Sequence, residues 1–253
     1  MQTLRSRPLP LSCKAGRTPK PGPQTEIEKL QTRSSNSHRL VERTVAVGLA
    51  SSVLGPLCDN FHSQHGVLKY HHPLPISLSP FLTLETTWWT PIMFAVAGII
   101  LGLGVPFLDG ILPQSRPQGG RNPSWAFVLT NISVFVTLYW ASAVLESPLL
   151  GVTAFGTIPA LDLTLCWAAF LAWTIFDATP QGLFMASLTA VCGPLIEIAL
   201  IKGGDLYQYA HPSVVNAVPS WIAWVYFAGG PAVGNLGRKV ADELMKQSIS
   251  KDR

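Results

Sequence analysis

Five apolar windows of about twenty residues, at about 88–108, 124–144, 157–176, 183–201 and 218–236, constrain this chain more than any other feature. Each is long enough to cross a ~30 Å hydrocarbon layer as a helix. A sixth stretch, Thr44 to Cys58, is shorter and reads either as a span or as an interfacial segment. Charge is distributed to match. Nine charged side chains fall between Trp88 and Gly237, against twelve in residues 1–43. At 13% charged residues overall, the composition departs from the ~25% of soluble domains and suits a membrane protein. The expected fold class is all-α: a polytopic membrane bundle of about six transmembrane helices.

The sign of the charge fixes the count. If six segments span, sixteen of the eighteen Lys and Arg residues fall on one face and only Lys69 and Lys202 on the other. Five spans would leave both faces well populated. The positive-inside bias therefore favours six helices with both termini on the positive side. Trp88, Trp89, Trp125, Trp140 and Trp221 sit near the boundaries and are expected to anchor them at headgroup depth. Leu74 to Leu84, with two prolines, reads as a loop or a short interfacial stretch.

Residues 1–38 have no apolar run and no acidic residue before Glu26. They read as a basic, disordered leader of the organelle transit type. Their prolines disfavour a long amphipathic helix, which points to a plastid rather than a mitochondrion. A basic tail lying on anionic lipid is the alternative. Residues 39–240 would then form the bundle and 241–253 a polar tail.

The last window carries Gly229, Gly230, Gly234 and Gly237, with Asn235 among them and Arg238 at the end. Each glycine lowers helix propensity by up to ~1 kcal/mol relative to alanine. Small residues four apart let another helix approach closely, which is what holds helices together in lipid. Gly98 and Gly102 repeat that spacing in the second span and are expected to pack within the chain. Gly193-Pro194 and Gly230-Pro231 are expected to interrupt the fifth and sixth helices.

Asp162 and Glu197 are carboxylates placed inside the fourth and fifth spans at similar depth. They are expected to share a polar site facing the bundle interior. Asn131, in the third span, is a further intramembrane polar residue. Cys58, Asp59, His62, His65, His71 and His72 crowd one loop; these are residue types that zinc uses, but their spacing matches no metal fingerprint, and no metal is expected. Cys166 and Cys192 are expected as buried free thiols. The chain has no nucleophile elbow, HExxH or phosphate loop, so catalysis is not expected. A polytopic body directs the basic tail to a membrane surface rather than to nucleic acid.

Four stretches together resemble the insulin-induced gene (Insig) family, the sterol-responsive retention proteins of the endoplasmic reticulum. They are Trp88–Pro91 followed by GIILGLGVPFLD, LDLTL with AWTIFD within Leu161–Asp177, LYQY at Leu206–Tyr209, and FAGGPAVGNLGR at Phe227–Arg238. Their order and spacing hold over about residues 40–240. The resemblance implies an Insig-like six-helix bundle with no catalytic residue and no cofactor. Such a bundle binds an oxysterol within the membrane and holds partner membrane proteins that bear sterol-sensing domains.

It also implies a partner-binding role for Asp177, the aspartate ending the fourth helix. Gly229, Gly230, Gly234, Asn235 and Arg238 of the last motif are assigned the same role. The chain departs from the family at Ala160, where a sterol-facing glutamine is expected. It departs again at Ala178-Thr179-Pro180-Gln181, which replaces an Arg-containing loop. With the leader, it looks like a divergent plant- or algal-type member. The expected function is binding of a sterol- or isoprenoid-type lipid and of a partner membrane protein, in a regulatory or retention role. The alternatives are a small transporter or channel using Asp162 and Glu197, and a ligand-independent membrane assembly factor.

Overall fold

A computed structural model describes residues 23–79, 82–112 and 116–251. The chain divides into two units, Met1–His38 and Arg39–Arg253. Helix α1 (Pro23–Gln64) begins within the first and continues in the second. The others are α2 (Thr90–Ile111), α3 (Trp125–Leu149), α4 (Ala160–Phe176), α5 (Pro180–Gly204) and α6 (Ile222–Lys251). Among the described residues, four helices are long and apolar enough to cross a membrane: Ser37–Gln64, α2, α3 and α5. Helix α4 is a shorter apolar helix, and α6 joins an apolar half to a charged one.

Local chemistry sets several helix ends. Ser124 accepts a hydrogen bond from the Phe127 N–H at 3.2 Å and caps α3. Thr179 caps α5 by accepting from Gly182 N at 3.0 Å, with Pro180 preset for the first turn. Helix α5 ends at Asp205, which adopts a left-handed φ of 48° while its N–H returns to Ile201 O.

Helix α6 is the axis of the bundle. It packs against α2, α3, α4 and α5, and every residue from Phe227 to Lys239 is buried. That is why it needs glycine. A Cβ on Gly230 would lie 2.7 Å from the Ala186 Cα of α5, and one on Gly234 would lie 2.9 Å from Val105 of α2. On Gly237 it would overlap the Gly102 backbone. Gly98 and Gly102 turn to α1, where added Cβ atoms would overlap Ser51 and Val47. Lipid tails are as apolar as leucine, so close contact of this kind, not burial from water, holds the helices together. Exposed apolar residues at helical spacing, such as Val45, Leu49 and Val53 on α1 or Leu188, Val191 and Leu195 on α5, form the hydrocarbon-facing surface.

The connections at one end carry short strands. Strand β1 (Leu68–Tyr70) pairs antiparallel with β6 (Tyr207–Tyr209), matching Leu68 with Tyr209 and Tyr70 with Tyr207. The pairing ties the loop after α1 to the loop after α5. Lys69 and Gln208 point outward while Tyr70, Tyr207 and Tyr209 are buried. A hairpin of β2 (Leu74–Ser79) and β3 (Leu82–Thr86) follows β1, and β4 (Thr153–Ala154) pairs with β5 (Ile158–Pro159) before α4.

The structure corrects several expectations. Thr44–Cys58 lies inside one long helix because Pro56 is accommodated without ending it. Residues 74–79 and 82–86 pair as antiparallel strands instead of forming a loop, with Ile76 opposite Leu84. Helices α5 and α6 run through Pro194 and Pro231 without interruption. Helix α1 begins at Pro23 and α6 continues to Lys251. The first 22 residues of the leader lie outside the described residues. Trp221 is buried, packed on His62, and Trp89 is stacked on Tyr207, so neither is a headgroup anchor. Cys192 is exposed and Cys166 half-buried.

Candidate functional site

Two buried polar centres stand at opposite ends of the bundle. The first is built around Arg238 of α6. Its Nε and Nη2 donate to the two carboxylate oxygens of Asp109, near the end of α2, at 2.7 and 3.0 Å. Its Nη1 donates to Asp177 at 2.7 Å and to Asn235 Oδ1 at 2.9 Å. The fork of a guanidinium suits such a bidentate contact. Gln181 of α5 adds a bond to Asp109 at 2.8 Å, and Asn235 donates to the Phe176 carbonyl at 2.9 Å.

Asp177, at the end of α4, also accepts from the Thr179 N–H at 3.0 Å and from the Thr179 hydroxyl. Gly182 leaves room for that carboxylate, which a Cβ there would overlap. Arg43 of α1 donates to the Gly102 carbonyl at 2.8 Å and adds a second positive charge at this end. The guanidinium of Arg238 thus joins α2, the end of α4 and α6, and Gln181 ties α5 to the same carboxylate.

The second centre is the polar end of a cavity of about 320 Å³ between α1, α2, α3, α5 and α6. That volume lies within the range of small-molecule sites. Most of its wall is apolar, including Phe94, Leu101, Met185 and Val233. At the end where β1 and β6 close it stand Asp59 of α1 and Glu197 of α5. The Tyr70 hydroxyl donates to Asp59 at 2.9 Å. Tyr209 donates to Glu197 at 3.0 and 3.1 Å, and Tyr226 donates to the same carboxylate.

Burial pushes the Tyr70, Tyr207 and Tyr209 phenols up, and the neighbouring carboxylates push them further, so they remain neutral donors. Tyr139 is fully buried, lines the cavity, and its hydroxyl makes no hydrogen bond of ordinary geometry. Among the described residues lining the cavity, none is Lys, Arg or His.

The profile of the family described as Insulin-induced protein (INSIG) matches residues 42–241. The chain belongs to the INSIG family. Among its relatives, the insulin-induced gene 1 protein of Danio rerio is 30% identical over 208 residues, covering 82% of this chain and 76% of that one. The human insulin-induced gene 1 protein is 29% identical over 204 residues, covering 81% and 67%. Among solved structures, the Insig homologue MvINS of Mycobacterium vanbaalenii shares the fold, with a TM-score of 0.61 at 23% identity. The match covers 79% of this chain and 94% of that chain. Like the helices described above, this membership makes the protein an integral, multi-pass membrane protein.

In this INSIG bundle the residues assigned to partner binding are all interior. Asp177 is 0% exposed and Arg238 2%, and Gly229, Gly230, Gly234 and Asn235 are buried as well. They pack and pin the bundle, and none offers a surface to another protein. The expected Asp162–Glu197 site is not assembled. Asp162 accepts from the Ser220 hydroxyl at 2.9 Å, while Glu197 faces the tyrosines and the cavity. Their helices turn the two toward different neighbours.

Asn131 is buried with both side-chain amide atoms unpartnered. Ala160 opens α4, and α4 contributes none of the cavity lining. Of the crowded Cys, Asp and His residues, Cys58 and Asp59 line the cavity. His62 instead bonds the Ser142 hydroxyl at 2.8 Å, and His65 bonds the Phe61 carbonyl.

Sequence reasoning missed Asp109, Gln181 and Tyr139 as site residues, and it considered Asp59 only within a cluster of metal-ligand types. Asp109 had a signal, since it closes the GIILGLGVPFLD motif within an INSIG-like stretch and is a carboxylate at a span boundary.

Proposed function

We propose that this INSIG-family chain is a non-enzymatic membrane regulator that binds a sterol- or isoprenoid-type lipid in the cavity and a partner membrane protein on its outer surface. The observation that carries this reading is the cavity itself: apolar along its length, polar at one end, and walled by five different helices. A lipid filling it would set the spacing of α1 and α2 against α5 and α6, and so the outer face offered to the partner. Partner and lipid would then strengthen each other's binding by the same factor. Asp177 and Arg238 serve this role indirectly, by holding the α4–α5 turn in place. The endoplasmic reticulum membrane is the location that family membership favours, with a plastid membrane as the alternative. A transporter that uses Asp162 and Glu197 together is disfavoured, because Asp162 accepts from Ser220 while Glu197 accepts from Tyr209.

Photolabelling tests the proposal. The full-length chain in lipid nanodiscs should be labelled by a photoreactive sterol or polyprenol on residues 51–59, 93–101 and 185–200. Unlabelled lipid should compete. Ala97→Trp, which adds bulk at an exposed position on the cavity wall, should cut labelling at least fivefold. Labelling spread over the outer helix faces and unchanged by Ala97→Trp would count against the site. A C-terminally tagged chain, compared with one starting at Arg39, separates a reticular from a plastid location.

A further inference from the structure

The polar end of the cavity has an unusual balance of groups. Asp59 and Glu197 both face it, and no cationic side chain lines it among the described residues. The nearest hydrogen-bond donors are phenols, which can share charge but cannot neutralise it. At the opposite end of the same bundle, the buried carboxylates of Asp109 and Asp177 are matched by Arg238. A buried carboxylate without a cation is costly in its ionised form and is otherwise held as the neutral acid, so a ligand that brings a cation would bind with the ionised form and gain a charged partner there.

The aromatic side chains point the same way. Tyr70, Trp89 and Tyr207 stand together, with ring centroids 5.8 to 6.0 Å apart, and all three line the cavity. Tyr139 and Tyr226 line it as well. Rings of this type, grouped around a space, attract an ammonium group through their quadrupoles. The buried Tyr139 hydroxyl stands beside Asp59 and Tyr226 and adds a further phenol to this end.

We infer that the cavity takes an amine-bearing amphiphile, whose ammonium group sits between Asp59 and Glu197 within the aromatic wall while its hydrocarbon body lies along Phe94, Leu101, Met185 and Val233. This rests on the lipid-binding reading above and adds the chemistry of the head group. A hydroxyl head would give the pair one donor and no counter-charge. An ammonium brings three donors and a positive charge to the same place.

The test compares head groups on one body. A 3β-amino sterol and its 3β-hydroxy parent are titrated onto the full-length chain in nanodiscs, with partition into empty discs subtracted. The amine is expected to bind at least tenfold more tightly. In the Asp59→Asn, Glu197→Gln double variant the ratio of the two affinities should fall to near one. Butylamine at millimolar concentration should not displace the amino sterol.

Equal or tighter binding of the hydroxy sterol by the wild-type chain would overturn the inference and leave the lipid-binding reading intact. Binding of neither sterol would overturn both. Displacement by butylamine would overturn the requirement for an amphiphile. The wild-type comparison is decisive even if the double variant fails to fold.

Discussion

The two ends of this bundle use the same residue types to opposite effect. At one end Asp109 and Asp177 are buried, and Arg238 reaches both at 2.7 Å, with Gln181, Asn235 and Thr179 completing the hydrogen bonds. At the other end Asp59 and Glu197 are buried among tyrosines, beside a cavity, with no cation. A polar network that closes on itself holds the structure in one arrangement. One left open, next to space a ligand can fill, is suited to recognition. The contrast also explains why the residues with the sharpest family motif are interior. They belong to the closed end, where the chain is its own partner.

The largest test of that contrast is Arg238→Ala. It leaves the buried carboxylates of Asp109 and Asp177 without the guanidinium that bonds both, with Arg43 close by but bonded to backbone carbonyls, and is expected to cost about 3–5 kcal/mol, the range for breaking a buried pair from one side. Thermal unfolding in detergent, with limited proteolysis of the α4–α5 turn, reads the effect. An unchanged melting temperature would remove the distinction between the two ends.

Next in size is Gly237→Ala, which forces a Cβ into the Gly102 backbone. Overpacking of this kind costs about 1–3 kcal/mol. Gly110→Ala, on α2 with nothing within 4 Å of its added Cβ, should be neutral or stabilise by up to ~1 kcal/mol. Similar melting temperatures for the two variants would show that the close approach of α2 and α6 carries no strain.

Smallest in stability is Glu197→Gln. It keeps the shape and can still accept from Tyr209 or Tyr226, so the expected cost is about 1 kcal/mol. Its effect should instead fall on the preference for an amine over a hydroxyl head, measured by the sterol titrations. A loss of stability as large as that of Arg238→Ala would make Glu197 part of a second structural knot rather than a binding end.

How much could be read in advance depends on range. The second, third and fifth helices were legible because a run of about twenty apolar residues is a local property whose required length the bilayer sets. The hairpin at β2 and β3 was not, since two prolines masked its alternation and its pairing forms between segments several residues apart. Asp162 and Glu197 were legible as intramembrane carboxylates, and their depth was inferred from the spans. What the chain order cannot show is the rotation of each helix about its axis. That rotation sends Asp162 to Ser220 and Glu197 to the tyrosines. Asp109 and Arg238 are 129 positions apart and carry no sign in sequence that they meet.

By itself, then, the sequence determined that this is a membrane helix bundle, how its spans are laid out, and that its last helix must be approached closely, because apolar length, charge bias and glycine spacing all act locally. Only the tertiary structure decided which acids are paired and which are left facing a cavity. Pairing and cavities arise from helices distant in sequence, and a buried charge is settled by whichever neighbour the packing brings within hydrogen-bond reach.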